Sequence, residues 1–390
     1  MGGGSGGHIT PIVAVIKEIK REHPRADITV WCDRKFIKQA RGLLGKAVPT
    51  SVIPAGKLRR YANLPWWYRW FSLYHIVHTH IPNLVDLFHI GAGFVASYCK
   101  LRRLRPDVVF CKGGYVCLPV GLAAHLLHIP LVLHDSDTVP GLTNRVLARY
   151  ARAIGTGAPV ENYPSYPKSR TKYIGIPLRP EIKPVNASAQ RELKAKLGFD
   201  PARLLVVSMG GGLGAKEINV AMALNARQLI KQGADVAMLI GKGRKVTLDL
   251  SDAERRHVRV LEFTEQIADY MKAADVVVTR AGATTMAELA AIRVATVIIP
   301  SPYLAGDHQT KNAKVYEQAG ATVVLAQHDV EQQPKLLGKT LAELIRDQGR
   351  RQQLAKALGG YAKPHALQDM ARLILDATQL HVHYNGGILQ

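Results

Sequence analysis

The chain is 390 residues long, 47% hydrophobic and 21% charged, a balance that excludes a disordered or low-complexity protein and supplies apolar residues for two cores. Lys and Arg number 52 against 30 Asp and Glu, and the net charge of +22 calls for anionic company: nucleic acid, acidic phospholipid or a phosphorylated small molecule. Four cysteines, Cys32, Cys99, Cys111 and Cys117, with no CxxC pair, exclude a disulfide scaffold and a CxxC zinc site and fit a reducing cytoplasm.

The chain opens MGGGSGGH, without the basic start and apolar core of a signal peptide. A Rossmann glycine loop follows a strand, and here only Met1 precedes it, so the first strand is either absent or lies upstream. A dinucleotide fingerprint fits poorly: His8 and Pro11 stand where the helix should enter its first turns, although Asp33 has the spacing of a ribose-binding acid. The longest apolar region, Trp66 to Tyr98, is broken by His75, His78, His80, Pro82, Asp86 and His89. It lacks about 18 uninterrupted apolar residues, so no membrane span is expected. Around it lie Lys57, Arg59, Arg60, Arg69, Lys100, Arg102, Arg103 and Arg105, with Asp86 the one acid. Trp66, Trp67 and Trp70, followed by Phe71, sit among these cations, as in a segment that rests on an anionic bilayer surface. The alternative is a packed aromatic helix pair with a solvated basic rim.

From Asp107 onward short Val/Ile/Leu runs alternate with amphipathic stretches. Strands are predicted at Asp107 to Phe110, Pro130 to His134 and Ala153 to Thr156, with helices at Leu118 to Leu127 and Leu142 to Ala151. A polar stretch, Arg179 to Asp200, carries Pro180 and Pro184 and separates two halves. The rhythm then restarts with strands Leu204 to Ser208, Ala234 to Ile240, Val258 to Phe263, Asp275 to Thr279 and Val294 to Ile299. Helices fall at Lys216 to Gln232, Glu265 to Ala274 and Thr285 to Ile292. Each half opens with a glycine loop, Gly2 to Gly7 and Gly210 to Gly214. Two such halves facing across a cleft would set both helix N-termini against one ligand, a diphosphate being the obvious candidate.

Seven segments in order give the chain a family likeness: GGGSGGHITP at 2 to 11, GGYV at 113 to 116, HDSDTVPGLTN at 134 to 144, GIPLR at 175 to 179, GGGLGAKEIN at 210 to 219, RAGATTMAEL at 280 to 289 and GDHQTKNA at 306 to 313. The sequence resembles the MurG-type glycosyltransferases over nearly its whole length. That resemblance implies two Rossmann-like doubly wound α/β domains facing across a cleft (GT-B): residues 1–177 on the acceptor and membrane side, 178–364 binding the UDP-sugar, and a C-terminal helix and tail, 365–390, that crosses back. It implies inverting transfer of N-acetylglucosamine from UDP-GlcNAc to the C4 hydroxyl of undecaprenyl-linked muramyl-pentapeptide, with no metal and no cofactor. The protein would work at the cytoplasmic face of the membrane as a peripheral enzyme, beside other cell-wall or division proteins.

The chemistry accounts for the residue types independently. The glycosidic bond breaks through an oxocarbenium-like state while negative charge grows on the leaving diphosphate. Glycine-loop amides and a helix N-terminus can meet that charge, and Ser5, Gly6, Gly211, Gly212, Leu213, Gly214 and Arg179 are the candidates. His8 is the candidate base for the acceptor hydroxyl; its plainer reading is a ring that braces the loop. The resemblance assigns Glu288 to the ribose hydroxyls, Thr264 to the uracil edge, Gln309 and Thr310 to the donor sugar, and Arg280 to the donor side. Thr285 with Glu288 also reads as a capping box. Tyr115, His134, Asp135, Asp137 and Asn144 fall on the family's acceptor side; their plainer role is to form Asx turns and cap the helix at Leu142. Asp135 through Asp137 has the DxD form of a metal site, but in the acceptor half. Gly212 stands where many family members carry a Ser that touches the diphosphate, and Ile176 replaces the Asn of GNPxR. The rival readings are a different lipid acceptor such as diacylglycerol, a non-catalytic nucleotide-sugar binder, and a nucleic-acid binder, for which no helix-turn-helix, zinc, RRM or KH signature is found.

Overall fold

A computed structural model describes residues 1, 6–45, 47–58, 76–212, 214–304 and 307–386. The chain divides into two units, Met1–Arg179 with Lys363–Gln390, and Pro180–Ala362.

The first unit begins with helix α1 (Gly6–Glu22), which has Pro11 inside it. The helix expected after the first glycine segment forms, with Pro11 in its early turns. A proline at this depth removes one internal hydrogen bond, at a cost of about 3 kcal/mol. Burial of Ile12, Val15, Ile16 and Ile19 outweighs it, at about 1.5–3 kcal/mol per side chain. Strand β1 (Val30–Cys32), α2 (Ile37–Leu44) and β2 (Thr50–Val52) follow, then α3 (Ile81–Leu104). Beyond it come β3 (Val109–Cys111), α4 (Cys117–Leu126), β4 (Leu131–Asp135), α5 (Leu142–Leu147), β5 (Ala153–Thr156) and β6 (Thr171–Tyr173). All pairings are parallel: β1 with β2 as one sheet, and β3-β4-β5-β6 as another.

Helix α3 corrects the expectation that polar residues would break the apolar region. Together with the turn before it, Val77–Leu104 is long and apolar enough to cross a membrane by length and composition. Pro82 causes no break because it sits at the start of the helix, where its N–H would have no partner anyway. Asp86 lies one turn from His89, 3.9 Å away. One stripe, Gly93, Ser97 and Leu101, is buried; a Cβ on Gly93 would come within 2.0 Å of the Pro54 carbonyl oxygen. The opposite face is exposed and apolar, with Phe88 73% and Leu84 58% accessible.

The second unit starts with α6 (Ala187–Lys196), inside the stretch that composition marked as polar. This helix is anchored by polar contacts instead of an apolar stripe: Asn186 caps it, Lys194 pairs with Asp275 at 2.6 Å, and Gln190 donates to the carbonyls of Ala273 and Ala274. Next are β7 (Leu204–Met209), α7 (Lys216–Lys231), β8 (Ala234–Leu239), α8 (Asp252–Arg255), β9 (Val258–Leu261), α9 (Ile267–Ala273), β10 (Val276–Thr279), α10 (Ala283–Ile292), β11 (Ala295–Ile298) and α11 (His308–Gln318). β12 (Val323–Val324), α12 (Gln327–Gln332), α13 (Lys335–Arg346) and α14 (Gln348–Gly359) complete it, and α15 (Ala366–Gly386) belongs to the first unit, where it packs on α1. The sheet runs β12-β11-β10-β7-β8-β9, all parallel. Val206, Val207, Val236, Met238, Val277, Val278 and Val297 are fully buried, as a sheet covered on both faces requires.

Candidate active site

In the second unit the chain leaves β7 and turns first to β8 on one side and later to β10 on the other. The carboxyl ends of β7 and β10 therefore flank a topological switch point, where open α/β sheets take ligands. Gly210 to Ala215 forms the loop there. A Cβ on Gly210 would fall 2.1 Å from the Ala215 nitrogen, and one on Gly214, which has φ +69°, would fall 1.9 Å from the Ile240 carbonyl oxygen. Only glycine allows this closeness. The loop closes with the Gly214 amide donating to the Gly211 carbonyl at 2.9 Å. Gly212 is exposed with nothing within 4 Å of where its Cβ would stand, so this loop surface is open to a ligand. Ala215 caps α7 through no side chain, which leaves the first-turn amides to the loop side.

Other candidates for the donor site leave neighbouring strands of the same sheet edge. Thr264, past β9, accepts the Gln266 amide through Oγ1 at 3.0 Å and sits beside an exposed Phe263. Arg280, at the end of β10, donates to the Ile299 carbonyl, to Gln327 Oε1 and to Glu217 in the first turn of α7. Burial lowers its pKa, opposed by Glu217. The guanidinium is thus committed to bracing the helix that follows the glycine loop. Asn219 does similar work, donating through Nδ2 to the Ile240 carbonyl at 2.9 Å. Gln309 is buried near the start of α11, and its Oε1 accepts the Ser301 amide at 3.0 Å, leaving its amide NH2 as donor capacity; Thr310 beside it is half-buried.

Glu288 lies in the second turn of α10 and is half-buried. The capping-box reading of Thr285 and Glu288 fails: α10 starts two residues earlier, with Gly282 at its N-cap and no side-chain cap. A box needs its Ser or Thr at the non-helical N-cap, whereas Thr285 is already inside the helix. At the N-cap, the nearest atom to the Gly282 Cβ position is Thr285 Oγ1 of the same helix, at 3.8 Å.

In the first unit the acceptor candidates converge at the carboxyl ends of β3 and β4. His134 is fully buried, and its Nε2 lies 2.8 Å from the Gly175 carbonyl. Asn144 donates to the His134 carbonyl at 3.2 Å. Asp135 Oδ2 accepts from Tyr166 OH at 2.7 Å and from the Gly141 amide at 3.2 Å, so this carboxylate braces the loop entering α5. Its burial pushes the pKa up, against the hydrogen bonds of Tyr166 and Asn144. Asp137 accepts Tyr163 OH at its backbone carbonyl, 2.6 Å. Tyr115 donates to Asp33 Oδ2 at 2.9 Å, and Asp33 Oδ1 takes the amides of Lys35 and Phe36, which occupies the carboxylate that the dinucleotide reading needed. Among the described residues no cluster of three His, Cys, Asp or Glu side chains stands at metal-holding distance.

Sequence reasoning passed over Lys112. Its side chain is almost wholly buried past the end of β3, with Nζ donating to Ser136 Oγ. Burial brings its pKa down to about 8, while Asp135 and Asp137 pull it up. The available signal was a lysine in register directly after an apolar strand and before Gly113 and Gly114. Several expected residues fall outside the description: Ser5, Leu213, Arg59, Arg60, Arg69, Trp66, Trp67, Trp70 and Phe71, and the side chain of His8, whose backbone is in α1 with that of Gly6. Arg179 ends the first unit's main segment and is half-buried.

Comparison with known proteins decides the family. The glycosyltransferase family 28 N-terminal domain matches residues 1–156, and the family 28 C-terminal domain matches residues 205–372. The chain belongs to glycosyltransferase family 28. Its curated relatives include the UDP-N-acetylglucosamine--N-acetylmuramyl-(pentapeptide) pyrophosphoryl-undecaprenol N-acetylglucosamine transferases of Desulforudis audaxviator, 32% identical over 96% of both chains, and of Halorhodospira halophila, 33% identical over 95% of both. The crystal structure of Acinetobacter baumannii MurG superposes with a TM-score of 0.69 at 24% identity, covering 96% of this chain and 98% of that one. UDP-GlcNAc 2-epimerase from Neisseria meningitidis, bound to UDP-GlcNAc, shares the fold at a TM-score of 0.60 and 13% identity, over 96% of this chain and 98% of that one. The family 28 membership and the two parallel α/β units agree with the MurG-type resemblance drawn from the seven motifs.

Proposed function

We propose that this protein transfers N-acetylglucosamine from UDP-GlcNAc to the C4 hydroxyl of undecaprenyl-linked muramyl-pentapeptide, inverting the anomeric centre without a metal. The observation that carries this reading is the joint match of both family 28 domains, with relatives of that activity aligned over nearly the whole chain. In the donor half, the amides of Gly211 to Gly214 and the first turn of α7 receive the charge that develops on the leaving diphosphate, joined by Arg179. Arg280 acts on that helix through Glu217. Glu288 takes the ribose hydroxyls, Thr264 the uracil edge, and Gln309 and Thr310 the sugar. His8 removes the acceptor proton. In the acceptor half, Tyr115, His134, Asp135, Asp137 and Asn144 shape the surface that receives the muramyl group.

A lipid-linked acceptor requires contact with a bilayer. The exposed apolar face of α3, carrying Ile81, Leu84, Val85, Leu87 and Phe88, with Arg102, Arg103 and Arg105 exposed at its end, supports a peripheral membrane contact. The test is UDP release measured with each substrate alone and with both. Release that needs both UDP-GlcNAc and a lipid-linked muramyl-pentapeptide analogue supports the reading; release with the acceptor replaced equally well by diacylglycerol overturns the acceptor assignment.

A further inference from the structure

Past the end of β3 the first unit buries a cation, Lys112, which is 1% exposed. An ammonium out of water is unfavourable unless it is paired and hydrogen-bonded. Among the described residues its side chain makes one hydrogen bond, from Nζ to Ser136 Oγ. Desolvation brings its pKa down to about 8, opposed by the groups that face it: Asp135 at the end of β4, Asp137 two residues on, and Cys117 in the first turn of α4. The Met1 amino group lies nearby on the Phe110 carbonyl, and the Met1 carbonyl takes the Lys112 amide.

Ser136 sits half-buried in a stretch of backbone that is pinned on both sides. The Asp135 carbonyl accepts the Gly157 amide at 2.7 Å, and the Asp137 carbonyl accepts Tyr163 OH at 2.6 Å. The main chain of Ser136 itself rests on Gly157, where a Cβ would fall 2.6 Å from the Ser136 carbonyl oxygen. The hydroxyl is therefore held in place, and the direction of its proton is what remains to be set. An ammonium only donates, so Ser136 Oγ accepts from Lys112 and must turn its own proton elsewhere. Among the described residues no protein oxygen takes that proton. A neutral lysine carries a lone pair and could draw the proton inward. The charge on Lys112 thus decides which way Ser136 donates.

We propose that Lys112 is a positioning residue for the acceptor: its ammonium turns the Ser136 hydroxyl outward, to donate to a carbonyl oxygen of the muramyl-peptide group. This rests on the muramyl acceptor of the proposed function, since Ser136 stands between Asp135 and Asp137 on the acceptor side. Asp135 and Asp137 favour the charged form of Lys112 and so keep the hydroxyl directed at the acceptor.

The test is steady-state kinetics on the full chain with UDP-GlcNAc and a short-chain lipid-linked muramyl-pentapeptide, for the parent, Ser136→Ala, Lys112→Met and the double variant. Ser136→Ala should raise the acceptor KM about fivefold, the worth of one hydrogen bond, and leave the donor KM unchanged. Lys112→Met should raise the acceptor KM in the parent and add nothing in Ser136→Ala, because both changes remove one interaction. Between about pH 7 and pH 9 the parent's acceptor KM should rise severalfold as Lys112 loses its proton, and Ser136→Ala should lose that rise. The last comparison separates Lys112 from the Met1 amino group, which titrates near pH 8 as well but does not act through the hydroxyl. It also decides the matter alone if Lys112→Met does not fold. A purely structural lysine would change the melting temperature without a selective effect on the acceptor KM. An unchanged acceptor KM in Ser136→Ala, a further rise in the double variant, or a pH dependence that persists in Ser136→Ala would overturn the proposal while transfer itself stands. A parent that transfers to no muramyl acceptor would overturn the proposed function together with it.

Discussion

Replacing Gly212 with Ser probes the donor loop where the fold is indifferent to the change. Nothing lies within 4 Å of the added Cβ, and Gly212, unlike Gly211 at φ +77° and Gly214 at φ +69°, is not held at positive φ. Stability should therefore stay level or rise slightly, since a Cβ at a compatible position limits the unfolded chain by about 0.4–1 kcal/mol. The new hydroxyl would supply the donor that many MurG-type sequences direct at the diphosphate. A hydrogen bond to a charged group is worth about 1.5–3 kcal/mol, and fixing a short side chain takes back roughly 0.5–1 kcal/mol. The net gain of about 1–2 kcal/mol corresponds to UDP binding tighter by roughly 5- to 30-fold. Titration calorimetry with UDP on the folded variant reads this directly. The control is Gly214→Ala, whose Cβ would meet the Ile240 backbone oxygen at 1.9 Å and should lose both stability and UDP affinity. A folded Gly212→Ser variant with unchanged or weaker UDP affinity would remove the diphosphate from this loop.

Three further outcomes follow from the same geometry. Glu288→Ala should weaken UDP binding by about tenfold or more at nearly unchanged melting temperature, because α10 is capped at Gly282 and not by this side chain; a fall in stability with intact UDP affinity would contradict it. Transfer should persist in EDTA, and turnover that disappears with chelation and returns with Mg²⁺ or Mn²⁺ would contradict leaving-group stabilisation by backbone amides. Lys112 has its pKa lowered from 10.5 to about 8, so the unfolded chain binds more protons between these values and stability rises with pH across that window. Lys112→Met should abolish that part of the rise, of order 3 kcal/mol, in urea unfolding followed between about pH 8 and 10; an unaltered slope would show that Lys112 does not titrate there.

The strands of the second unit were legible because a sheet covered on both faces leaves continuous apolar runs, and Leu204 through Val207 is such a run. The glycine loop was legible for a related reason, since its close approach to Ile240 tolerates no other residue. Helix α6 was not, because its anchoring rests on Lys194 with Asp275 and on Gln190, contacts between residues about 80 positions apart that no local period reveals. The start of α10 was misread for a similar reason: Thr285 and Glu288 have capping spacing, but the helix begins at Ala283. Pro11 counts against a dinucleotide fingerprint but does not prevent the helix expected after the glycine segment, because burial of its neighbours prevails. In the acceptor half the motif residues were found, while the partners that fix them, Lys112, Tyr163 and Tyr166, come from strand ends and loops brought together only by folding.

The central claim is best tested on the product itself. Incubation with UDP-GlcNAc and a short-chain lipid-linked muramyl-pentapeptide, followed by NMR of the isolated product, should show one N-acetylglucosamine joined through a β linkage to the C4 oxygen of the muramyl sugar. An α linkage, a different site of attachment, or free N-acetylglucosamine with the acceptor unchanged would contradict it.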